Sequence, residues 1–290
     1  MQWQTSRFKI DLTVPRVMGI VNLTPDSFFD GGQYNQVSSA LQRCEQLLKD
    51  GADMLDLGGE SSRPGAQPLG TEDELARILP VVRQAVHLGV PISVDTYKPR
   101  VMQAALDLGA DIINDIWALR WHDPTSTADP ASPTGQQVIA AHPTCGICLM
   151  HMHLQPQTMQ LQPMQGHVLA QVILFLEQSA QCLQALRVDA SRIAIDPGIG
   201  FGKTPDQNFE LLTHQRALLS AGHALVVGWS RKSSLSTMTT PSAPPLAAHE
   251  RLVPSVVASL LAVQKGVHVV RVHDVKETVQ ALKVLASTRA

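Results

Sequence analysis

Eight short apolar segments recur along the chain, and each is followed by a longer segment with helical periodicity. The first helical segment carries Leu41, Cys44 and Leu48 at the spacing of one helix face. The short segments are apolar nearly throughout, as strands are when both faces of a sheet are covered. Eight such repeats over about 270 residues predict an α/β fold, a single (β/α)₈ TIM barrel with its active site at the C-terminal ends of the strands. A doubly wound open sheet with two extra units is the less favoured alternative.

The predicted strands are 17–21, 53–57, 91–94, 111–114, 146–150, 192–195, 224–227 and 268–272. The predicted helices are 37–50, 71–88, 98–108, 136–142, 165–187, 206–220, 247–265 and 274–287. Residues 1–16 form an N-terminal extension and residues 17–290 form the barrel domain. Two segments rich in Pro and small residues, 121–135 and 236–249, are predicted surface loops rather than domain linkers.

Composition excludes several classes of protein. With 44% hydrophobic residues and a net charge of −2, the 290-residue chain is neither disordered nor suited to a nucleic acid or a polybasic membrane surface. Aromatic residues make up only 4%, too few for a platform that stacks single strands. Neither a signal peptide nor an apolar span of about 18 residues is present, so we expect a cytoplasmic protein without a membrane partner.

Two short patterns invite a metal or redox interpretation. Cys145 and Cys148 form a CxxC pair, but no second pair follows, and they flank an apolar segment typical of a strand. We therefore expect both thiols to pack as small hydrophobic side chains. His151 and His153 share one side of an extended segment, but further ligands at zinc spacing are lacking nearby. A zinc site is not favoured.

Polar residues stand at the ends of the predicted strands, where TIM barrels carry their chemistry. They could be helix N-caps, but caps alone do not explain so many amides, carboxylates and cations. The residues at the strand ends or just beyond them are Asn22, Asp95, Asn114, Asp115, His151, Asp196, Ser230, Arg231, Lys232, Arg271 and His273.

The mixture of side chains suggests the ligand. Arg63, Lys232, Arg271 and His273 are donors suited to a phosphate, and arginine offers a bidentate fork. Asp95, Asn114 and Asp196 are acceptors suited to the N–H and NH₂ edges of a heterocycle. Together these residues predict a site for a nitrogen heterocycle that carries a phosphate or diphosphate.

The glycine-rich segment 196–204 ends in GKT but is not a Walker loop, because Pro197 stands where its first glycine is required. The dinucleotide-binding pattern fails as well, because its third glycine falls on Lys203. These glycines instead allow a tight turn and a close approach of the backbone to a flat ligand. Segments 22–32 and 58–66, with hydroxyls, Gly and Pro, are predicted active-site loops.

Taken together, the motifs resemble the dihydropteroate synthase family of pterin-binding enzymes. The matching segments occur in family order over residues 18 to 275, nearly the whole chain. They are MGIVNLTPDSFFDGG (18–32), GADMLDLGGESSRPGA (51–66), ISVDTYKP (92–99), GADIINDI (109–116), LMHM (149–152), DPGIGFGKT (196–204), SRKS (230–233) and RVHDV (271–275).

The resemblance implies a homodimeric TIM barrel that condenses 6-hydroxymethyl-7,8-dihydropterin diphosphate with 4-aminobenzoate and releases pyrophosphate. It implies that the pterin is held by Asp95, Asn114, Asp196 and Lys232. It implies that Asn22 binds Mg²⁺, and that Arg271 and His273 bind the diphosphate. The residues implied at the aminobenzoate are Ser62, Arg63, Pro64, Phe201 and Ser233. Arg63, Lys232, Arg271 and His273 are the expected catalytic side chains.

Departures from the family pattern lie outside this implied first layer, apart from Ser62, where the family often has Thr. His153-Leu154 replaces the usual pair after LMHM, Pro254 replaces a glycine in the seventh helix, and loop 121–135 is longer than usual. We expect Pro254 to bend that helix and alter dimer packing. Two rival functions are a methyltransferase using methyltetrahydrofolate and a noncatalytic pterin carrier. The SRPG loop and the SRK and RVHD groups argue against the first, and the intact loops 24–32 and 61–66 against the second.

Overall fold

The computed structural model describes residues 1–24, 33–63, 65–122, 132–236 and 245–288, and within them eight parallel strands close into a barrel. The strands are β1 (Gln2–Gln4), β2 (Lys9–Asp11), β3 (Arg16–Asn22), β4 (Met54–Gly58), β5 (Ile92–Asp95), β6 (Ile112–Asp115), β7 (Gly146–Met150), β8 (Ile193–Asp196), β9 (Ala224–Val227) and β10 (Val269–Val272). The α-helices are α1 (Gln33–Lys49), α2 (Thr71–Ala85), α3 (Pro99–Asp107), α4 (Gly135–Ala141), α5 (Val168–Ala185), α6 (Pro205–Thr213), α7 (Leu252–Gln264) and α8 (Val275–Ser287).

Strands β3 to β10 follow one another around the barrel in chain order, and β10 pairs with β3 to close it. Each observed barrel strand overlaps one of the eight predicted segments, so the (β/α)₈ prediction is confirmed and the open sheet is wrong. No helix in the described part of the chain has both the length and the apolar character needed to cross a bilayer.

Alternation along each strand separates two apolar layers. In β4, Leu55 and Leu57 belong to the large cluster between the strands and the surrounding helices, where Ile78 of α2 also lies. Met54 faces the other way, into the barrel interior. By the same alternation Asp56 also points inward, which puts a carboxylate inside the barrel.

A β-hairpin closes the N-terminal end of the barrel. Strands β1 and β2 pair antiparallel, and Trp3, Ile10 and Leu12 pack against Met18 and other side chains of the barrel interior. The indole N–H of Trp3 donates to the carbonyl of Arg192 at 3.0 Å. This plug leaves the C-terminal end of the strands as the accessible end.

Two predicted helices differ from the observed ones by five residues or more at one end. Helix α6 ends at Thr213 and gives way to a 3₁₀ segment, Gln215–Ala221, where the buried Gln215 amide donates to the carbonyl of Ala262 at 2.9 Å. Helix α7 begins at Leu252, which places Pro254 in the first turn. Since the N–H groups of a first turn have no helical partner, Pro254 removes no hydrogen bond there and the expected reason for a bend is absent.

Candidate active site

Four side chains from four strands meet at the C-terminal end of the barrel. The guanidinium of Arg271 donates to Asp56 through Nε at 2.5 Å and to Asp95 through Nη2 at 2.6 Å. Asn114 donates from Nδ2 to the same oxygen of Asp56 at 3.2 Å. Asp95 and Asn114 were predicted from their strand-end positions, whereas Asp56 was missed because it lies within an apolar run.

Two carboxylates share one guanidinium here, which sets the electrostatics. Burial raises the pKa of Asp95, and Arg271 only partly offsets this. Burial lowers the pKa of Arg271, but Asp56 and Asp95 raise it by more, so that group stays charged. Oδ1 of Asp56 is buried and has no hydrogen-bond partner among the described residues. The cluster therefore retains unused acceptor capacity at the base of the site.

Beside this cluster lie a further carboxylate and a second cation, those of Asp196 and Lys232. Asp196, only 6% exposed, accepts from the backbone N–H of Gly198 through Oδ1 at 2.7 Å, which leaves Oδ2 for another donor. The ammonium of Lys232 lies 4.2 Å from the ring centroid of Phe201. Burial and the nearby Arg271 lower the pKa of Lys232, while Asp196 and Asp95 raise it. The ring and the ammonium together form one wall of the site.

The loop after β8, residues 197–204 (the β8 loop), fits tightly against the chain after β7. Gly198 has a φ of +68°, and a Cβ there would lie 1.9 Å from the carbonyl oxygen of His151. Gly202 has a φ of +70° and would bring a Cβ to 2.6 Å from Cβ of His153. Only glycine suits either position, because both the backbone conformation and the space exclude a side chain.

Lys203 fixes the β8 loop from beneath. Its side chain is 2% exposed, and its ammonium donates to the carbonyls of Gly198 at 2.9 Å and Phe201 at 3.2 Å and lies 2.9 Å from Nδ1 of His151. Burial lowers the pKa of Lys203 to about 7. The ammonium thus binds its own loop, as expected for a GKT sequence that is not a Walker loop.

Asn208 of α6 joins the β8 loop to the loop after β9. Its Oδ1 accepts from the N–H of Gly200 at 2.9 Å, and its Nδ2 donates to the hydroxyl of Ser234 at 2.8 Å. The residue is fully buried. The positions of Phe201 and Lys232 are therefore linked through one amide.

The ring of His273, just after β10, contacts the hydroxyl of Ser230. The backbone N–H of His273 donates to Oγ of Ser230 at 3.1 Å, and Oγ lies 2.9 Å from Nδ1 of the same histidine. When the hydroxyl of Ser230 donates to Nδ1, the proton of a neutral ring lies on Nε2. Burial, with Arg271 second, lowers the pKa of His273 to about 3, so the ring is neutral and can still donate from Nε2.

An apolar wall completes the site. Phe201 packs in a cluster with Ile116, Met150, Met152 and Met159, and Tyr97 and Trp117 lie against it. The site thus offers a flat ligand two kinds of surface. The carboxylates described above can meet its edge, and the thioethers and rings of this wall can cover its faces.

The comparisons with known proteins agree with this geometry. Residues 18–273 match the family described as pterin binding enzyme. The chain is 45% identical to a dihydropteroate synthase of Neisseria meningitidis serogroup B, over 97% of this chain and 95% of that one. It is 41% identical to the dihydropteroate synthase of Escherichia coli K12, over 96% and 93%. The chain belongs to the dihydropteroate synthase family.

Solved structures of this family superimpose closely on the chain. The dihydropteroate synthase of Burkholderia cenocepacia, complexed with 7,8-dihydropteroate, gives a TM-score of 0.84 at 42% identity, with 99% of this chain and 96% of that chain covered. A Xanthomonas albilineans dihydropteroate synthase with 4-aminobenzoic acid gives a TM-score of 0.87 at 39% identity, with coverage of 100% and 99%. The chain is accordingly a transferase of this family.

In this dihydropteroate synthase family member, the loop after β4 (residues 59–66, the β4 loop) borders the same end of the barrel. Ser62 lines a narrow cleft together with Asp95, Tyr97, Ile116 and Pro156. Arg63 is exposed, and Pro64 lies outside the described residues. Of the predicted loop 24–32 only Thr24 is described, and loop 121–135 is described only at its two ends.

Three strand-end residues do not face the site. The buried carboxylate of Asp115 accepts from the N–H groups of Trp117 at 2.7 Å and Leu119 at 2.6 Å, so it caps a turn. Arg231 is exposed and pairs with Asp274. His151 turns toward Lys203. For these three the helix-cap or structural interpretation is the better one.

The remaining predicted residues occupy the rim. Asn22 ends β3 half-buried, and Ser233 is exposed at the start of the 3₁₀ segment Ser233–Ser236. Cys145 and Cys148 are free and buried, and burial raises the pKa of both thiols. Cys148 packs as an apolar side chain, as expected, whereas Sγ of Cys145 also accepts from Nη2 of Arg192 at 3.2 Å.

Proposed function

We propose that the chain condenses 6-hydroxymethyl-7,8-dihydropterin diphosphate with 4-aminobenzoate, giving 7,8-dihydropteroate and pyrophosphate with the assistance of Mg²⁺. One observation carries the proposal: three carboxylates, those of Asp56, Asp95 and Asp196, converge with the cations of Arg271 and Lys232 at the mouth of the barrel. Carboxylates placed there favour an electron-rich pterin that becomes cationic as its diphosphate leaves.

The pterin is assigned to the strand-borne residues. Asp196 has Oδ2 available to accept from the amino and N–H edge of the ring, and Asn114 has Oδ1 available because its Nδ2 is already donated to Asp56. Asp95 closes the same edge, and Lys232, whose ammonium lies 4.2 Å from the ring centroid of Phe201, donates to a ring acceptor. Buried donors and acceptors then pair, which avoids a cost of about 1–3 kcal/mol for each group left unpaired.

The diphosphate is assigned to Asn22, Arg271 and His273, which end β3 and β10, neighbouring strands of the barrel. The donor set fits Mg²⁺, which takes one or two protein oxygens together with substrate phosphates and waters. Asn22 offers a half-buried amide oxygen with no side-chain hydrogen bond to the described residues. When bound, Mg²⁺ supplies charge neutralisation of the departing diphosphate.

Aminobenzoate is assigned to Ser62, Arg63, Pro64, Phe201 and Ser233, on the loops above the pterin. The aniline nitrogen attacks the methylene carbon of the pterin, a C–N bond forms and the C–O bond to diphosphate breaks. The aniline proton leaves to solvent. No strong base is needed, because the aniline lone pair is already nucleophilic. Arg271 and the Nε2–H of His273 donate to the leaving oxygens as their charge grows.

Pyrophosphate release tests this function directly. We expect release only when the dihydropterin diphosphate and 4-aminobenzoate are both present, with dihydropteroate formed in equal amount. Methyl transfer from methyltetrahydrofolate without pyrophosphate release would support the rival enzyme. Pterin binding without turnover would support the carrier.

We also propose that the chain forms a homodimer through α7 and α8. Val253, Val257 and Leu261 recur at i, i+4 and i+8 on one face of α7 and are 68%, 48% and 41% exposed, and Val284 of α8 is 68% exposed. Exposed apolar side chains in such a stripe favour burial against a second copy. Sedimentation should give twice the mass of one chain, and Val257→Glu should shift it toward the mass of a monomer.

A further inference from the structure

Glu60 is the last residue before the hydroxyls and guanidinium of the β4 loop. Its carboxylate accepts from the hydroxyl of Tyr97 through Oε1 at 2.8 Å and pairs with the ammonium of Lys98 through Oε2. The geometry points to Glu60 as a positioning residue that sets the place of Ser62 and Arg63, and through them the affinity for 4-aminobenzoate. This inference rests on the proposed function, because the β4 loop is assigned to the second substrate there.

The partner of Glu60 is itself firmly fixed. The Lys98 side chain is 4% exposed, and its ammonium also pairs with Glu74, a residue of α2 that is 1% exposed. The same ammonium lies 4.5 Å from the ring centroid of Tyr97. Two carboxylates and a ring thus converge on one buried cation, so that removing the Glu60 charge leaves Lys98 paired with Glu74.

The second partner belongs to the apolar wall of the site. The ring of Tyr97 lies 6.3 Å from that of Trp117 and 5.2 Å from that of Trp121, measured between centroids. Burial, with Glu60 second, raises the pKa of Tyr97, so its hydroxyl stays protonated and donates. Glu60 therefore ties the β4 loop to the wall that borders the proposed pterin position.

Beyond Glu60 the described part of the β4 loop is held by longer bonds. The N–H of Arg63 lies 3.4 Å from Oγ of Ser61, that of Gly65 lies 3.4 Å from the carbonyl of Pro156, and that of Ala66 lies 3.1 Å from the carbonyl of Arg63. Each is weaker than a bond near 2.9 Å or a charged pair. The firm anchoring of this segment is thus concentrated at Glu60 and at the adjacent carbonyl of Gly59, which accepts from Nη1 of Arg77 at 2.6 Å.

In the described part of the chain, Glu60 bonds Tyr97 and Lys98 and makes no hydrogen bond or ion pair with the strand-borne residues assigned to the pterin. Asp95 and Asn114 lie on strands β5 and β6, which pair with each other in the barrel. Asp196 ends β8, on the far side of β7 from Asn114. A substitution at Glu60 should therefore change the KM for 4-aminobenzoate much more than the KM for the pterin diphosphate.

The test is steady-state kinetics on Glu60→Gln, which keeps the size of the side chain and the acceptor for Tyr97 but turns an N–H₂ toward Lys98. We expect the KM for 4-aminobenzoate to rise by about tenfold, the magnitude typical of a lost hydrogen bond to a charged group. The KM for the pterin diphosphate should change by less than about twofold. Glu60→Asp keeps the charge on a shorter side chain, and its KM for 4-aminobenzoate should lie between those of the unaltered chain and of Glu60→Gln. The matched control is Glu72→Gln, which removes an exposed pair with Arg100 from the same helix that carries Glu74.

Each outcome distinguishes the possibilities. An unchanged KM for 4-aminobenzoate in Glu60→Gln, or an equal rise for both substrates together with a lower Tm, would overturn the inference. If Glu60→Gln does not fold, Tyr97→Phe removes one bond and keeps the ion pair. It should then raise the KM for 4-aminobenzoate alone, by about threefold, and an unchanged value would overturn the inference. Absence of turnover in the unaltered chain would instead count against the proposed function itself.

Discussion

Arg271 and Asp56 are 215 positions apart in the chain, and Nε of the arginine lies 2.5 Å from Oδ2 of the aspartate. The aspartate is fully buried, and the arginine side chain is 22% exposed. Because a guanidinium has a planar fork of donors, this bond and the one to Asp95 fix its plane across the barrel. Its Nη1 group has no side-chain partner among the described residues and remains free to meet an anion.

The first prediction separates the two roles of Arg271. Arg271→Ala should lower kcat by about 10²–10³, the effect of losing one preorganised donor to a developing anion. It should also lower the free energy of unfolding by about 3–5 kcal/mol, because Asp56 and Asp95 lose their shared cation. Kinetics at a temperature where the variant is folded, with chemical denaturation, measure the two effects.

The control for this prediction also removes the charge of Asp56, which has lost its cation in Arg271→Ala. In the double variant Arg271→Ala with Asp56→Asn, most of the lost stability should return, whereas kcat should stay low. Recovery of kcat along with stability would show that Arg271 only supports the barrel rim.

How far the sequence specifies this site depends on where each residue lies. Asp95, Asn114 and Asp196 are predictable because each interrupts an apolar strand at its end, where a barrel places its chemistry. Asp56 is hidden within MLDLG, although its alternation with Met54 points it into the barrel. A carboxylate on an inward face must find a partner, since burying an unpaired charge is costly. That rule could have identified Asp56, but not its partner.

Other contacts could not be predicted because they join segments that are distant in sequence. The ammonium of Lys203 lies 2.9 Å from Nδ1 of His151, 52 positions earlier in the chain. Lys98 meets Glu60 and Glu74 from two other elements. Periodicity and motif spacing describe one segment at a time, so they give the eight strands correctly and leave such pairings open.

The second prediction concerns Asp196. In Asp196→Asn, the amide oxygen takes the N–H of Gly198, so the NH₂ group must face the donor edge of the pterin. Affinity for a pterin ligand should fall by at least about tenfold, since a donor then opposes a donor. Calorimetry with the pterin alone measures this, and Asp189→Asn, an exposed aspartate before β8, is the control. Equal affinity in both variants would remove Asp196 from the pterin site.

The third prediction concerns stability against pH. Burial, with the Lys203 cation second, lowers the pKa of His151 from 6.5 to about 2. The unfolded chain therefore binds a proton that the folded chain does not, and this residue makes the protein less stable as the pH falls below 6.5. Across pH 6 to 4 the slope for one such group approaches about 1.4 kcal/mol per pH unit.

Replacing His151 should remove that contribution. In His151→Asn the unfolding free energy should fall less steeply between pH 6 and pH 4 than in the unaltered chain, by a slope equivalent to up to about one proton per molecule. Urea denaturation at several pH values measures it, and His249→Asn, at an exposed histidine, should leave the slope unchanged. A slope equal to that of the unaltered chain in His151→Asn would mean that this ring is not held neutral.

The last prediction concerns the order of binding. The residues assigned to the pterin lie on or directly beside strands, whereas Ser62 and Arg63 lie on the sparsely bonded β4 loop and Arg63 is exposed. An exposed guanidinium is drawn toward a bound diphosphate, and its loop then borders the aminobenzoate. We therefore expect 4-aminobenzoate to bind at least about tenfold more tightly when a pterin analogue, pyrophosphate and Mg²⁺ are all present, because the loop no longer has to be ordered by the second ligand alone. Calorimetric titration with and without those additions measures the difference, and omitting pyrophosphate alone should abolish most of it. Arg63→Ala should reduce the enhancement, whereas Arg83→Ala, an exposed arginine of α2, should preserve it. Equal affinity in the free and the loaded protein would mean that the aminobenzoate pocket is formed before the first substrate arrives, and the ordered scheme would then be wrong.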